Sequence, residues 1–440
     1  MRVEALPERY LTHWRQHGIW PLDVDHAEFW ARNMSKWEVA GAWRARIVNG
    51  SLWVRMLSTQ PHWAERTSVL RMVLMALQRG GGEDVEGVDI VYAHNDRDPT
   101  PPRGWPPGTG ARRIPLLTNG HQTARTSLPV PEFSWVGWHT HTPPWCRLYT
   151  EVFAAGARIP WANRTDIAFF SGGLDNGPMR HQLRKLSGTQ AAAGVIQVRN
   201  VAPRFYTTTA AARAGKEKSQ PMSAMCGYKY LISVAGYGYS NRLKSLLLCG
   251  SVVIHVRQPW NEFFMPLLVD GRHVAVASTV NHIPQVVSML RANATLAERI
   301  ARGGRHMAST QLAFDRTLDY MHALLRSYSS VQRERATDTT GYERVDSAAQ
   351  AGRVAGQCNC GSGEMTATAT RCAVEPAVFR AAPRGRYRCC EGWDCPREVC
   401  ARSVSREEPQ QQQGRGGQRS KHLAARGGRE GARTHVSRDP

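Results

Sequence analysis

The 440-residue sequence predicts an α/β fold, short buried strands alternating with helices, and three stretches predict it. In Cys226 to Val256, a strand-like run from Tyr228 to Val234 leads through the glycine-bearing AGYGYS into a short helix pattern and then SVVIHV, Ser251 to Val256. In Trp161 to Gly188, Ile167 to Phe170 read as a strand, Ser171-Gly172-Gly173 as a tight turn and Arg180 to Leu186 as a basic amphipathic helix. In the third, Val88 to Tyr92 form a short apolar strand that breaks into a polar loop with Asp96 and Asp98. Strand, glycine turn, helix, strand is the βαβ unit from which parallel sheets are assembled.

Along the chain, Leu52 to Leu57 reads as a strand after the Asn49-Gly50 turn, and Ser68 to Leu77 as an apolar helix stopped by the glycines at 80–82. A carboxylate just past the C-terminal end of an α/β strand stands where such folds place working residues, which singles out Asp96 and Asp98. Capping a turn is the other common fate of aspartate there. Residues 100–130, rich in Pro, Gly and Arg, read as a surface loop. The aromatics of PEFSWVGW, Trp135 and Trp138 among them, suit either a sugar face or a core. The pair His139 and His141 has no Cys, Asp or Glu cluster at ligand spacing, so no metal is expected.

Residues 200–222 are small and polar and read as a loop. In AGYGYS, Gly236 and Gly238 let the backbone turn sharply and approach a ligand. Ser240 then reads as the N-cap of a helix from Asn241 to about Cys249. Arg242 in the first turn opposes the helix dipole, a position better suited to binding an anion than to stabilising the helix. An ordinary buried βαβ unit with a glycine turn has the same spacing, and Arg180 alone also fits a solvated basic face. His273 to Val276 reads as one more strand, and residues 281–332 carry helical periodicity. Beyond about Gln332 low-complexity sequence takes over, and a disordered tail is expected over residues 333–440.

The formal net charge of +21 suits nucleic acid, an anionic surface or a phosphate-bearing substrate, but no nucleic-acid recognition motif accompanies it. A non-catalytic basic protein binding RNA or another polyanion is the alternative this charge keeps open. Seven of the ten cysteines lie beyond residue 357 at spacings that do not form paired zinc knuckles; Cys146, Cys226 and Cys249 are too scattered to make a disulfide framework. No window is long and apolar enough to cross a membrane, and MRVEALPERYLTHW lacks the apolar core of a signal peptide. Four Asn-x-Ser/Thr sequons, at Asn33, Asn49, Asn163 and Asn293, permit glycosylation.

Tyr228, Lys229, Tyr230, Gly236, Ser240, Arg242, Lys244, Cys249, Gly250 and Ser251 resemble the signature of the protein O-glucosyltransferase family, which takes in Rumi-like enzymes and fungal capsule-associated xylosyltransferases. The stretch around Gly172 and Arg180 resembles that family's Phe-x-Arg-Gly-Ser turn and following arginine, with Ser171 in place of the arginine and Gly173 in place of the serine. PEFSWVGW resembles its Pro-Asp-Trp-Ser-Phe-Trp-Gly-Trp; the likeness spans roughly residues 40–330. The resemblance implies a GT-B arrangement of two Rossmann-like halves facing a cleft: an acceptor-side half over residues 1–160 and a nucleotide-sugar-binding half with closing helices over 161–332. It implies a UDP-sugar donor held by Gly172, Gly173, Arg180, Gly236, Tyr237, Gly238, Tyr239, Ser240, Asn241, Arg242 and Glu262. Asp96 (or Asp98) is then the general base, and Trp135 and Trp138 lie near the acceptor or sugar. It further implies metal-independent, inverting transfer of glucose or xylose to a protein or glycan hydroxyl, without a cofactor, by a monomer in the endoplasmic reticulum or Golgi lumen. The N-terminus leaves a cytoplasmic protein or an incomplete chain as alternatives to that placement. The altered Ser171-Gly172-Gly173 loop leaves a degenerate transferase open.

Overall fold

The computed structural model describes residues 1–33, 42–57, 68–94, 114–122, 127–136, 145–201 and 220–346, all within one compact unit, Met1–Cys395. Asp96, Asp98, Trp138, His139, His141 and all seven cysteines beyond residue 357 lie outside the described residues.

Helices α1 (Leu6–Tyr10), α2 (Thr12–His17) and α3 (Pro21–Asn33) open the chain. Strands β1 (Trp43–Val48) and β2 (Ser51–Met56) make an antiparallel hairpin. Its turn holds Asn49 at φ 53° and Gly50 at φ 67°, the left-handed pair whose twist matches that of the flanking strands. Helix α4 (Ser68–Gly80) precedes β3 (Asp89–Tyr92), β4 (Leu116–Thr118) and β5 (Leu128–Pro129), which run parallel to one another, with β3 antiparallel to β1. The surface-loop reading of residues 100–130 is therefore corrected at its C-terminal end, where Leu116, Leu117, Thr118 and Leu128 are buried. Strands this short carry too few residues to show an alternating pattern among prolines and arginines.

Helix α5 (Trp145–Arg158) leads into a second sheet. It takes in β6 (Thr165–Gly172), helix α6 (Pro178–Ser187), β7 (Ile196–Asn200), β8 (Tyr228–Ser233), helix α7 (Leu243–Leu248), β9 (Val252–Val256) and β10 (Ala275–Ala277). Its strands are ordered β10-β9-β8-β6-β7 and every pairing is parallel. Helices α8 (Ile283–Ala292) and α9 (Ala294–Gln311) follow, the Asn293 side chain accepting from Leu296 N at 2.9 Å to cap α9.

Helix α10 (Phe314–Val331) returns to pack on α4 and α1, away from the second sheet. Strand β11 (Glu343–Val345) then pairs antiparallel with β2, completing a first sheet of order β11-β2-β1-β3-β4-β5. A tail beginning at residue 333 is thus corrected: the chain is structured through residue 346. Tyr342 anchors this end, with the Arg46 and Arg55 guanidinium groups 4.7 and 4.9 Å from its ring centroid. Sparse apolar residues hide the strand, because its partners are cations and an aromatic ring instead of a hydrophobic stripe.

Buried charge ties α3 to the first sheet. Arg44 Nε and Nη2 grip Asp89 at 2.7 and 2.8 Å, and Nη1 reaches Asp25 at 2.8 Å and Glu28 at 2.9 Å. Removing one partner of such a pair leaves a buried charge short of its hydrogen bonds. Asp89→Ala is expected to lower unfolding stability by about 2 kcal/mol, the remaining two carboxylates holding the cost at that level. A urea midpoint unchanged from wild type would show that the pair carries no weight.

Although three cysteines so scattered predict no disulfide framework, Cys226 and Cys249 form one disulfide, with Cα atoms 4.8 Å apart. They are 23 residues apart in sequence, Cys226 in the turn before β8 and Cys249 at the end of α7, and only tertiary packing brings them together.

Candidate functional site

The second sheet dictates where a ligand fits. From β6 the chain moves outward to β7, then returns to place β8 on the other side of β6 and continues through β9 to β10. Connections therefore leave the carboxyl ends of β6 and β8 in opposite directions, opening a crevice between two loops at the topological switch point. One loop carries Gly172, Gly173, Asn176, Gly177 and, in the first turn of α6, Arg180. The other runs from Ala235 through Gly236 and Tyr237 to Arg242.

The loops touch backbone to backbone. Gly177 has φ 94°, and a Cβ there would stand 2.4 Å from the Gly236 carbonyl oxygen. Gly236 in turn leaves no room for a side chain without crowding Asn176 Nδ2 (3.2 Å) and Arg180 Nη2 (3.3 Å). At Gly177 the positive φ and the contact with backbone require glycine; at Gly236 a side chain would have to displace the ends of Asn176 and Arg180.

Both arginines stand over one buried ring. The Arg242 guanidinium lies 4.6 Å from the Phe170 centroid and that of Arg180 5.7 Å. Arg180, 8% exposed, donates from Nη1 to the Gly173 carbonyl at 3.3 Å; Arg242 donates to the Ser171 carbonyl. Burial lowers the Arg180 pKa to about 10. Burial, and then the charge of Arg180, lowers that of Arg242 to about 9. Among the described residues no carboxylate pairs with either. Arg180 Nε, Arg242 Nη2 and the hydroxyl of buried Ser240 have no hydrogen-bond partner among the described residues. Two adjacent cations with spare donors form an incomplete constellation, which a doubly charged anion would complete.

The expected helix start is corrected. Helix α7 begins at Leu243, with Arg242 at its N-cap position and no side-chain cap; Ser240 accepts through its backbone carbonyl from Leu243 N at 3.2 Å. The residues between form a turn, so no helix N-terminus begins at Ser240. Tyr237 is 57% exposed, whereas Gly238 and Tyr239 are buried and Asn241 is half-buried.

Trp135 is core: it is fully buried and packs on Trp145 and Phe263 at 5.1 and 5.5 Å between centroids, which corrects its expected place against acceptor or sugar. Beside it Lys244 is ion-paired to Glu132 at 2.7 Å. Neither partner was given a role from sequence, although a lysine inside the apolar run LKSLLL signals a buried counter-charge.

Glu262 follows Asn261, whose backbone pairs with that of His121. It is 2% exposed and neither carboxyl oxygen has a partner among the described residues. Burial raises its pKa to about 8; Lys244 opposes the rise and Glu132 adds to it. The carboxyl is therefore neutral at pH 7, with one O–H to donate and lone pairs to accept. The sign of its effect on folding follows. Between its ordinary value of 4.5 and about 8, the unfolded chain has lost this proton and the folded chain keeps it. Stability from this group is thus full below the lower value and falls as pH rises to the upper one. Glu262→Gln is expected to flatten the decline in melting temperature over that interval. Parallel wild-type and variant curves would show that the carboxyl ionises normally.

Among the described residues no three His, Cys, Asp or Glu side chains gather as a metal site, and no helix is long and apolar enough to cross a membrane.

Comparison with known proteins shows the family. The family described as Glycosyl transferase family 90 matches residues 8–384. Protein O-glucosyltransferase 1 of Homo sapiens is 28% identical over 213 residues, covering 48% of this chain and 54% of that protein. O-glucosyltransferase rumi of Drosophila melanogaster is 29% identical over 188 residues, covering 42% and 45%. The chain thus spans about half the length of the curated relatives it matches. Among solved structures, Anabaena HepE in complex with UDP and glucose aligns over 46% of this chain and 60% of that one at 13% identity, with a TM-score of 0.30, a likeness too slight to argue from.

Proposed function

The chain belongs to glycosyl transferase family 90, and on that premise we propose that it moves a sugar, glucose or xylose, from a UDP-sugar to a hydroxyl of a protein or glycan. The observation that supports this reading most is the pair Arg180 and Arg242, delivered by the loops after β6 and β8 onto one aromatic ring without a carboxylate partner among the described residues. A diphosphate supplies the missing charge.

In this reading the two sheets are the Rossmann-like halves of a GT-B arrangement, with the donor at the carboxyl ends of β6 and β8. Arg180, Arg242, the Ser240 hydroxyl and the glycine-loop N–H groups hold the diphosphate. Tyr237 offers an exposed ring to the nucleoside, and Glu262 holds the ribose hydroxyls. The acceptor oxygen forms a bond to the anomeric carbon as the bond from that carbon to the diphosphate breaks; UDP leaves with the electron pair. Asp96 takes the acceptor proton, attack comes from the face opposite the diphosphate, and configuration inverts. Charge on the departing UDP is met by guanidinium groups, so no metal is required. The Cys226–Cys249 bridge suits an oxidising compartment, the endoplasmic reticulum or Golgi lumen.

Thermal shifts of the full chain with UDP-glucose, UDP-xylose, UDP-galactose and GDP-mannose test this. A ligand at a hundred times its Kd adds about 2.7 kcal/mol of stability, so a UDP-sugar is expected to raise Tm by several degrees and GDP-mannose by less. No shift with any of them, together with salt-sensitive RNA binding, would favour a basic polyanion-binding protein. A shift without turnover would favour a degenerate transferase in which Ser171, standing where relatives carry arginine, has cost the activity.

A further inference from the structure

Lys244 uses all three of its ammonium protons. Nζ donates to Glu132 Oε1 at 2.7 Å, to Ser134 Oγ at 2.8 Å and to the Asn241 carbonyl at 2.8 Å. The side chains of Lys244 and Glu132 are each 1% exposed, and the ammonium lies 5.2 and 5.7 Å from the rings of Trp135 and Trp145. Glu132 is fixed on its own side: it accepts from Ser134 N at 2.7 Å and from the Ser134 hydroxyl, capping the turn Phe133–Trp135.

An ion pair this deep is weak as a source of stability, since desolvating both charges offsets their attraction. Apolar side chains would fill a space lined by Trp135 and Trp145 as well. What they would not do is direct hydrogen bonds. Here one bond runs to the carbonyl of Asn241, the peptide that leads into Arg242, from an anchor more than a hundred residues earlier in the chain. Arg242 needs such restraint because Arg180 repels it.

We propose that the Lys244–Glu132 pair is a positioning pair: through the Asn241 carbonyl it holds the Arg242 loop so that both guanidinium groups face one diphosphate before the ligand arrives. This rests on the diphosphate reading above. Preorganised donors lose least on binding, and small displacements of such groups reduce rates steeply.

The test measures UDP affinity by calorimetry, melting temperature, and kcat and KM on the full chain carrying E132M/K244M, Glu132→Gln or Glu132→Asp. The double variant removes both charges and fills the space, so it is expected to melt within a few degrees of wild type while binding UDP about tenfold more weakly or worse. Glu132→Asp keeps the charge but shortens the reach; it is expected to fall between wild type and Glu132→Gln in UDP affinity. A folded double variant with wild-type UDP affinity would make the pair purely structural and overturn the proposal. Should the double variant fail to fold, Glu132→Asp decides: an unchanged UDP affinity overturns the proposal, a weakened one at unchanged Tm supports it. Wild type failing to bind UDP would remove the diphosphate reading and this proposal with it, an outcome read in the wild-type arm alone.

Discussion

Arg242→Ala is expected to lower donor-dependent turnover by about a hundredfold or more, the usual weight of one charge-stabilising group aimed at a leaving group. Its guanidinium shares the Phe170 ring with Arg180 and has no carboxylate to neutralise it among the described residues. A cation held in that way raises the energy of the unliganded protein. Truncation therefore leaves Tm within a few degrees of wild type, because the lost bond to the Ser171 carbonyl is offset by relief of repulsion from Arg180. UDP affinity falls alongside turnover. A purified Ala variant with full activity would sink the diphosphate assignment; one that no longer folds would make the arginine a structural residue.

Asp96→Asn is expected to cost about 10³ or more in transfer while leaving UDP affinity nearly intact. A positioned general base contributes roughly 10²–10⁴, and asparagine keeps the shape of the side chain while losing its ability to take a proton. Asp96 follows β3, whose carboxyl end lies in the parallel part of the first sheet, where an α/β fold presents working groups. Affinity for UDP is read separately because the proposed donor contacts belong to the other sheet. Loss of UDP binding in the Asn variant would assign Asp96 a structural role, and activity transferred to dependence on Asp98 would identify the neighbouring carboxylate as the base.

Much of the second sheet was legible in sequence because its strands are continuous apolar runs set off by glycines. The strands after Tyr228 and Ser251, the helix carrying Arg180 and the hairpin at Asn49-Gly50 all announce themselves through local chemistry: β-branched side chains, an amphipathic period, a left-handed turn pair. The short strands β4, β5 and β11 do not. Their register comes from neighbours already in place, and Tyr342 is fixed by arginines nearly three hundred residues away. Trp135 shows the same limit in the other direction. From sequence an aromatic in a loop suits a sugar face, though large aromatics are more often core, and its contacts with Trp145 and Phe263 decide for the core.

By itself the sequence determined the α/β class and the two glycine-and-arginine loops, since turn glycines, apolar periods and a charge placed against a helix dipole are local properties of the chain. Tertiary structure alone decided that Arg180 and Arg242 share the Phe170 ring, that Gly177 and Gly236 abut, that Cys226 bonds Cys249, and that Lys244 answers to Glu132. Each of these pairs residues remote in sequence, and they are brought within reach by tertiary packing, the order of the parallel strands among it, which no local pattern encodes.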